Sequence, residues 1–134
     1  MNGRQLDNIL SRLISPNKCS YLGIFSQDHL PSPSSNTHSF PLCFVANTDP
    51  SNKPGEHWVS FFYDSPSSLE FFDSYGLDPS FYGFNIIPSH INHTTLQALG
   101  STVCGHYCIF YLYHRTQGLS LTRILCSFSS VDLD

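Results

Sequence analysis

The sequence predicts an α+β fold, a central and mainly antiparallel sheet flanked by helices, and three observations carry that prediction. Residues 4–13 place Leu6, Ile9, Leu10 and Leu13 at the i, i+3, i+4, i+7 spacing of one helix face. Two aromatic-rich runs, His57–Tyr63 and Ser68–Asp73, flank Asp64-Ser65-Pro66-Ser67, which is strand, turn and strand in composition. Residues 104–115 are aromatic and apolar nearly all round, the pattern of a helix buried on every side. Helix, then strands, then helix is an α+β order rather than alternating βαβ units.

The remaining elements follow in chain order. Pro16 ends the first helix, because the ring withholds a donor and clashes with the preceding turn. Tyr21–Phe25 is a short apolar strand candidate, and the Pro- and Ser-rich stretch Leu30–Asn36 is a loop. Phe40–Asn47 reads as a buried strand, with Pro41 confined to its start or to an edge. Asn47–Gly55 is turn-rich, and Ser74–Gly83 is a Gly/Pro/aromatic region with room for one helical turn. His93–Gln97 is expected to be a short strand ending before Gly100. Ser101 or Thr102 is the expected N-cap of the buried helix and Gly118 its stop. A last helix spans about Leu121–Phe128 with Leu121, Ile124, Leu125 and Phe128 as its stripe. The tail after it resembles a linker and the capping start of another helix, so part of that stripe is expected to lie uncovered, as if the C-terminus were truncated.

The 134 residues are one domain's worth, with apolar surface enough for a core that needs no metal or disulfide. Hydrophobic residues make up 40%, aromatics 14% and charged residues only 12%, which excludes a disordered acidic chain. No apolar run approaches the roughly 20 residues that cross a bilayer, so no membrane partner is expected. The formal charge of −4 and the scattered Lys and Arg argue against a phosphate-binding track, so no nucleic-acid partner is expected. Five cysteines, an odd number without framework spacing, and a polar N-terminus without a leader point to free thiols in an intracellular, reducing compartment. The glycosylation pattern Asn92-His93-Thr94 is a chance match in that setting.

Cys104-Gly105 opens the buried helix, where unpaired N–H groups and the helix dipole favour thiolate over thiol. A neighbouring imidazolium lowers a thiol further, the usual activation of a cysteine nucleophile. His57 begins one predicted strand and Asp73 ends the next, so a hairpin brings both to one sheet edge. An Asp beside a His fixes its tautomer and stabilises its cation. Gln97 lies seven residues before Cys104, near enough to aim an amide at an oxyanion.

The stretches Gly55-Glu56-His57-Trp58-Val59, Phe71-Phe72-Asp73-Ser74-Tyr75-Gly76, Gln97 and Cys104-Gly105-His106-Tyr107-Cys108 occur in the order His, Asp, Gln, Cys. This resembles the adenovirus-type (adenain-like) cysteine proteases, most nearly those of Polinton/Maverick DNA transposons, and more distantly the ubiquitin-like-protein-specific proteases. The resemblance covers about residues 6–130. It implies one cysteine-protease domain over residues 1–134 with the adenain-type fold. It further implies Cys104 as nucleophile, His57 as general base and acid, Asp73 as orienter, and Gln97 with the Cys104 N–H as oxyanion donors. A thiol endopeptidase maturing viral or transposon capsid and core precursors follows, with a protein or peptide substrate, no cofactor, and an intracellular or virion-associated setting. Two departures stand out: the Asp73–Gln97 interval is short, and the chain is acidic where adenoviral enzymes are basic and use DNA. DNA activation is therefore not carried over, while a protein activator stays open.

Blander readings stand beside these. Cys104 alone is a small buried hydrophobe, Asp73 a turn residue, Gln97 an exposed amide, and Trp58 core filling beside the site. Cys104, His106, Cys108 and His114 suggest zinc by type, but only 104 and 108 share a helix face, so no metal is expected. At the level of function the alternatives are a ubiquitin-like isopeptidase and a catalytically silent interaction domain.

Overall fold

The structure, a computed structural model, describes residues 1–52, 57–96 and 103–128. Among them the elements run α1 (Gly3–Leu13), β1 (Ser20–Phe25), β2 (Leu42–Asn47), β3 (Trp58–Ser65), β4 (Ser68–Phe72), a short 3₁₀ helix (Pro79–Tyr82), β5 (His90–Ile91), α2 (Cys104–Thr116) and α3 (Leu121–Ser127). The strands form one sheet in the order β1-β2-β3-β4-β5. Its two central junctions, β2–β3 and β3–β4, are antiparallel, whereas the outer strands β1 and β5 join in parallel. The sheet is thus antiparallel where its ladders are longest.

Both faces of the sheet are buried, and the alternation of strand residues sorts them. Cys43, Val45, Phe62 and Phe72 face one core, which Leu6 and Leu10 of α1, Tyr107, Cys108, Tyr111 and Leu112 of α2, and Ile124 of α3 complete. Leu42, Phe44, Ala46, Val59, Phe61, Leu69 and Phe71 face a second core, covered by Leu30, Phe40, Tyr82, Phe84 and Ile86 from non-α segments. All three α-helices therefore lie on one side, and aromatic-rich loops seal the other. This is why β2 reads as a continuous apolar run: every one of its residues is buried.

Local chemistry accounts for the boundaries. Asn2 caps α1 in a reciprocal box with Gln5, each side chain accepting the other's backbone N–H at 2.9 Å. Pro41 lies just outside β2, where its carbonyl accepts from Ser20 N–H at 3.0 Å. Ser65 pairs with Ser68 across the tight Pro66-Ser67 turn of the β3–β4 hairpin. α2 is held against β4 by polar contacts of a buried Glu70, which accepts from Tyr111 Oη and, at 3.0 Å, from Arg115 Nε. The Arg115 guanidinium also stacks 4.4 Å from the Phe62 ring centroid.

Two expectations need correction. The strand expected at 93–97 is absent from 93–96, and β5 lies earlier, at His90–Ile91. Beyond it the Asn92 side chain, rather than a ladder, takes up backbone carbonyls of Asp73 and Thr94; Gln97 lies outside the described residues. The N-cap of α2 is Val103, not Ser101 or Thr102, and it makes no side-chain cap; Ser101 and Thr102 are also outside the described residues. The apolar stripe of α3 is covered in part: Ile124 is fully buried, whereas Leu121, Leu125 and Phe128 are half-buried, with Phe128 4.7 Å from Phe110 and 5.3 Å from Tyr107.

Leu10, fully buried between α1 and the helix-side core, supplies a test of this architecture. Leu10→Ala is expected to cost about 2–5 kcal/mol through lost transfer energy and the cavity left behind. Denaturant unfolding followed by circular dichroism measures it, and a loss below about 1 kcal/mol would contradict the described packing of α1.

Candidate active site

The β3–β4 hairpin assembles the first pair. Ser60 opposes Phe72 at the open end of the ladder, so the next residues outward, towards His57 on one strand and Asp73 on the other, lie side by side. His57 Nε2 stands 2.6 Å from Asp73 Oδ1, with the imidazole side chain 8% exposed and the carboxylate 0%. Cys104 lies near enough to the imidazole for hydrogen bonding and charge between the two to shift the pKa of each. Three residues that are 16 and 31 positions apart in the chain thus meet in one cluster.

Asp73 is the most heavily supported group of the three. Oδ1 accepts from His57 Nε2 and from Tyr75 N–H at 3.1 Å, and Oδ2 accepts from Leu77 N–H at 3.1 Å and Tyr82 Oη at 2.5 Å. Its backbone is clamped by Asn92, which accepts the Asp73 N–H at 2.9 Å and donates to the Asp73 carbonyl at 2.6 Å. The turn closes with Gly76 N–H on Asp73 O at 2.8 Å. Gly76 has φ +72, and a Cβ there would stand 2.8 Å from the Thr94 backbone, so only glycine fits. Leu96 N–H on Ser74 O at 2.7 Å and Tyr107 Oη on Leu96 O at 3.0 Å tie the segment entering residue 97 to this turn.

The electrostatics follow from these contacts. Burial alone would lower the His57 pKa, but hydrogen bonds and charge from Asp73 and Cys104 outweigh it and raise the imidazole to about 9. Burial alone would raise the Cys104 thiol, yet the His57 hydrogen bond, the N–H groups of Trp58 and Gly105, and the His57 charge bring it below its ordinary value. Val103 makes no side-chain cap at the α2 N-terminus, where the helix dipole also favours negative charge. Both shifts run in the direction of thiolate and imidazolium.

Aromatic side chains wall the cluster. The Tyr75 ring stacks on His57 at 4.5 Å between centroids, and Tyr82 lies tilted at 5.8 Å. Trp58 passes close to both Gly3 and Gly105, where an added Cβ would stand 3.2 and 3.8 Å from the indole. Trp58 also lines a surface cleft of about 350 Å³ with Ile24, Phe25, Asn47, Asp49 and Pro50, directly beside His57.

The structure brings Cys104, His57 and Asp73 together, and Gln97 lies outside the described residues. The sequence pattern assigns Tyr75, Tyr82 and Asn92 no part at the site. Asn92 looked like a chance glycosylation match, and it is 1% exposed with both ends of its amide engaged. No local pattern announces the Tyr82–Asp73 contact, although Asp78-Pro79 capping the 3₁₀ helix and Gly83 ending it mark the turn that delivers the ring. The zinc alternative finds no geometry among the described residues: His106 is exposed, His114 Nδ1 lies 2.8 Å from Phe110 O, and no three His, Cys, Asp or Glu side chains form a metal-sized cluster.

Fold and site together define an α+β domain whose sheet-packed helix begins at a cysteine facing a His–Asp pair. Two solved structures share the fold. The ASFV pS273R protease matches at a TM-score of 0.67 and 19% identity, over 93% of this chain and 61% of that one. The central domain of the uncharacterized Lpg1148 protein from Legionella pneumophila matches at 0.53 and 17% identity, over 94% of this chain and 87% of that one. The chain thus spans 61% of the length of the pS273R protease chain, and at these identities the likeness shows a common fold. No family model matches the chain, and no curated protein matches it.

The cluster predicts selective thiol chemistry. Iodoacetamide near pH 6 is expected to alkylate Cys104 far faster than Cys126, which is exposed and reports what access alone allows. Cys19, Cys43 and Cys108 are buried and are expected to stay unlabelled in the folded protein. His57→Ala should slow Cys104 labelling sharply at this pH. Equal rates at Cys104 and Cys126, read by peptide mass spectrometry, would remove the ion pair.

Proposed function

We propose that this chain is a thiol endopeptidase that cleaves capsid or core precursor proteins of a virus or a virus-like transposon inside the cell. The observation that carries the reading is the chain of contacts from Cys104 through His57 to a fully buried Asp73, 2.6 Å from the imidazole. The shared fold with the ASFV pS273R protease supports the same reading.

The steps balance without a cofactor. The Cys104 thiolate adds to the scissile carbonyl carbon, and the carbonyl electron pair moves to oxygen. The Cys104 N–H and the Gln97 amide hold that oxyanion. The support for Gln97 is the anchoring of its neighbour Leu96 to Ser74 and Tyr107. As the oxyanion collapses, the C–N bond breaks and His57 delivers its proton to the leaving amine. Neutral His57 then takes a proton from water as the water oxygen adds to the thioester carbon. Collapse breaks the C–S bond, which returns the thiolate beside imidazolium, and the carboxylic acid product gives its proton to solvent. The cleft lined by Ile24, Phe25, Pro50 and Trp58 has apolar and aromatic walls that suit an extended peptide.

A proteome-derived peptide digest with the wild-type chain and a Cys104→Ala control tests the proposal. Cleavage absent from the control supports it, and no cleavage by either makes the chain a silent interaction domain. The pH profile gives a second reading. His57 must be protonated to release the amine, and its pKa is raised to about 9, so kcat/KM is expected to fall as pH rises through about 9. Asp73→Asn removes the carboxylate that stabilises the cation, so it should move this limb to lower pH and reduce turnover less than Cys104→Ala does. An unmoved limb would make Asp73 a turn residue only.

Gln97→Ala is expected to slow acylation by about one hundred-fold, the order for one oxyanion donor. Alkylation of Cys104 by iodoacetamide should stay nearly normal, because no oxyanion forms there. A parallel fall in both rates would place the oxyanion hole elsewhere.

A further inference from the structure

The carboxylate behind His57 has an accessory donor from outside its own turn, the Tyr82 hydroxyl. Asp73 is 0% exposed, so water cannot hydrate its charge, and every lone-pair direction has to be met by the protein. Two of its donors are backbone N–H groups of its own turn, from Tyr75 and Leu77 at 3.1 Å each. Those contacts come from residues two and four positions on in the same turn, so they tie the carboxylate to its own turn and not to another element. The remaining donor on Oδ2 is the Tyr82 hydroxyl, at 2.5 Å, and it comes from a different element.

We propose that Tyr82 is a positioning residue of this site: by holding Asp73 Oδ2 it keeps Oδ1 turned to His57 Nε2 and spreads the buried charge over a second strong hydrogen bond. The inference rests on the thiol-protease reading for its catalytic consequence, and on geometry alone for the contact itself. Tyr82 is well placed for the task. It ends the 3₁₀ helix Pro79–Tyr82, which Asp78 caps through Ser80 N–H at 2.9 Å, so its backbone is fixed independently of the catalytic turn. Its ring is braced by Phe81 at 5.3 Å and Phe84 at 6.4 Å, and its carbonyl lies 3.4 Å from Gln27 Nε2. Burial and the Asp73 contact push its hydroxyl pKa upward, which keeps it a neutral donor while Asp73 carries the charge. The groups facing the carboxylate are then His57, Tyr82 and the two turn N–H groups, with Tyr75 stacked on the far side of the imidazole.

Without the hydroxyl, the Leu77 N–H is the one described donor left on Oδ2, and the carboxylate is held less tightly about its Cβ–Cγ bond. His57 then loses a fixed partner, although the pocket and the thiol remain. The effect belongs to turnover and not to substrate binding, because Tyr82 touches neither the sulfur nor the cleft beside Trp58.

The experiment follows the far-downfield proton of the short His57–Asp73 hydrogen bond by NMR in histidine-labelled full-length protein, identified by its loss in His57→Ala. Tyr82→Phe keeps the ring and removes only the hydroxyl. It is expected to broaden this resonance by exchange and to lower kcat about tenfold with KM unchanged, the order for one charge-assisted hydrogen bond. Site-specific 3-fluorotyrosine at position 82 keeps size and fold and strengthens the donor, so the resonance should stay sharp and move upfield as charge is drawn from Asp73. A resonance sharp and unmoved in both variants would overturn the proposal and leave Tyr82 as packing. The NMR readout needs no substrate, so a wild-type chain that cleaves nothing would remove the protease reading while leaving the Tyr82–Asp73 test standing.

Discussion

A carboxylate with no access to water dictates the arrangement of the chain around it. An isolated buried carboxylate costs several kcal/mol or more, so the fold must return to Asp73 the hydrogen bonds that water would make. It does so with His57 from β3, Tyr82 from the 3₁₀ helix and two N–H groups of a turn that only Gly76 can close, while Asn92 clamps the backbone from beyond β5. Segments far apart in the chain are thereby drawn to one end of the sheet. The same bonds that satisfy the charge also orient the imidazole, so stability and site geometry are one problem with one solution.

The sulfur depends on a second, mostly apolar, positioning device. α2 is buried along most of its length, and its far end is fixed by Arg115 and Tyr111 on Glu70. With both ends of the helix held, its first residue cannot drift from His57. Buried thiols elsewhere show what the site changes. Cys19 and Cys43 lie 3.6 Å apart in the core, and hydrogen bonding to Cys19 and burial push Cys43 upward, as burial does for Cys108. Cys104 is buried too, yet a protonatable ring and helix-start N–H groups reverse the direction. Burial alone pushes a thiol upward; burial beside a protonatable ring and helix-start N–H groups brings it down.

The comparison with solved structures has a corresponding logic. A likeness at 17–19% identity reports that the backbone path is shared, because many sequences can satisfy one pattern of packed layers. The chain spans 61% of the pS273R protease chain, so the chemistry argued for this protein rests on its own Cys104, His57 and Asp73.

Much of this was legible in the residues themselves. The Leu6–Leu13 stripe, the aromatic hairpin runs and the all-round apolar α2 appear where their periodicities place them, because each is a local consequence of which face must be buried. The pairing of His57 with Asp73 was also legible, since a hairpin of known turn fixes which strand ends meet. Three things were not. The parallel pairing of β1 and β5 depends on how long connections return, the start of α2 at Val103 on how the helix docks, and the contacts of Tyr82 and Asn92 with Asp73 on the closure of the loops around β5. The sequence by itself determined the elements and the reactive residue types, because those follow from near-neighbour sterics and burial. Only the tertiary structure decided which tyrosine and which amide would satisfy a buried charge, because that choice is made between segments that nothing but the folded core brings into contact.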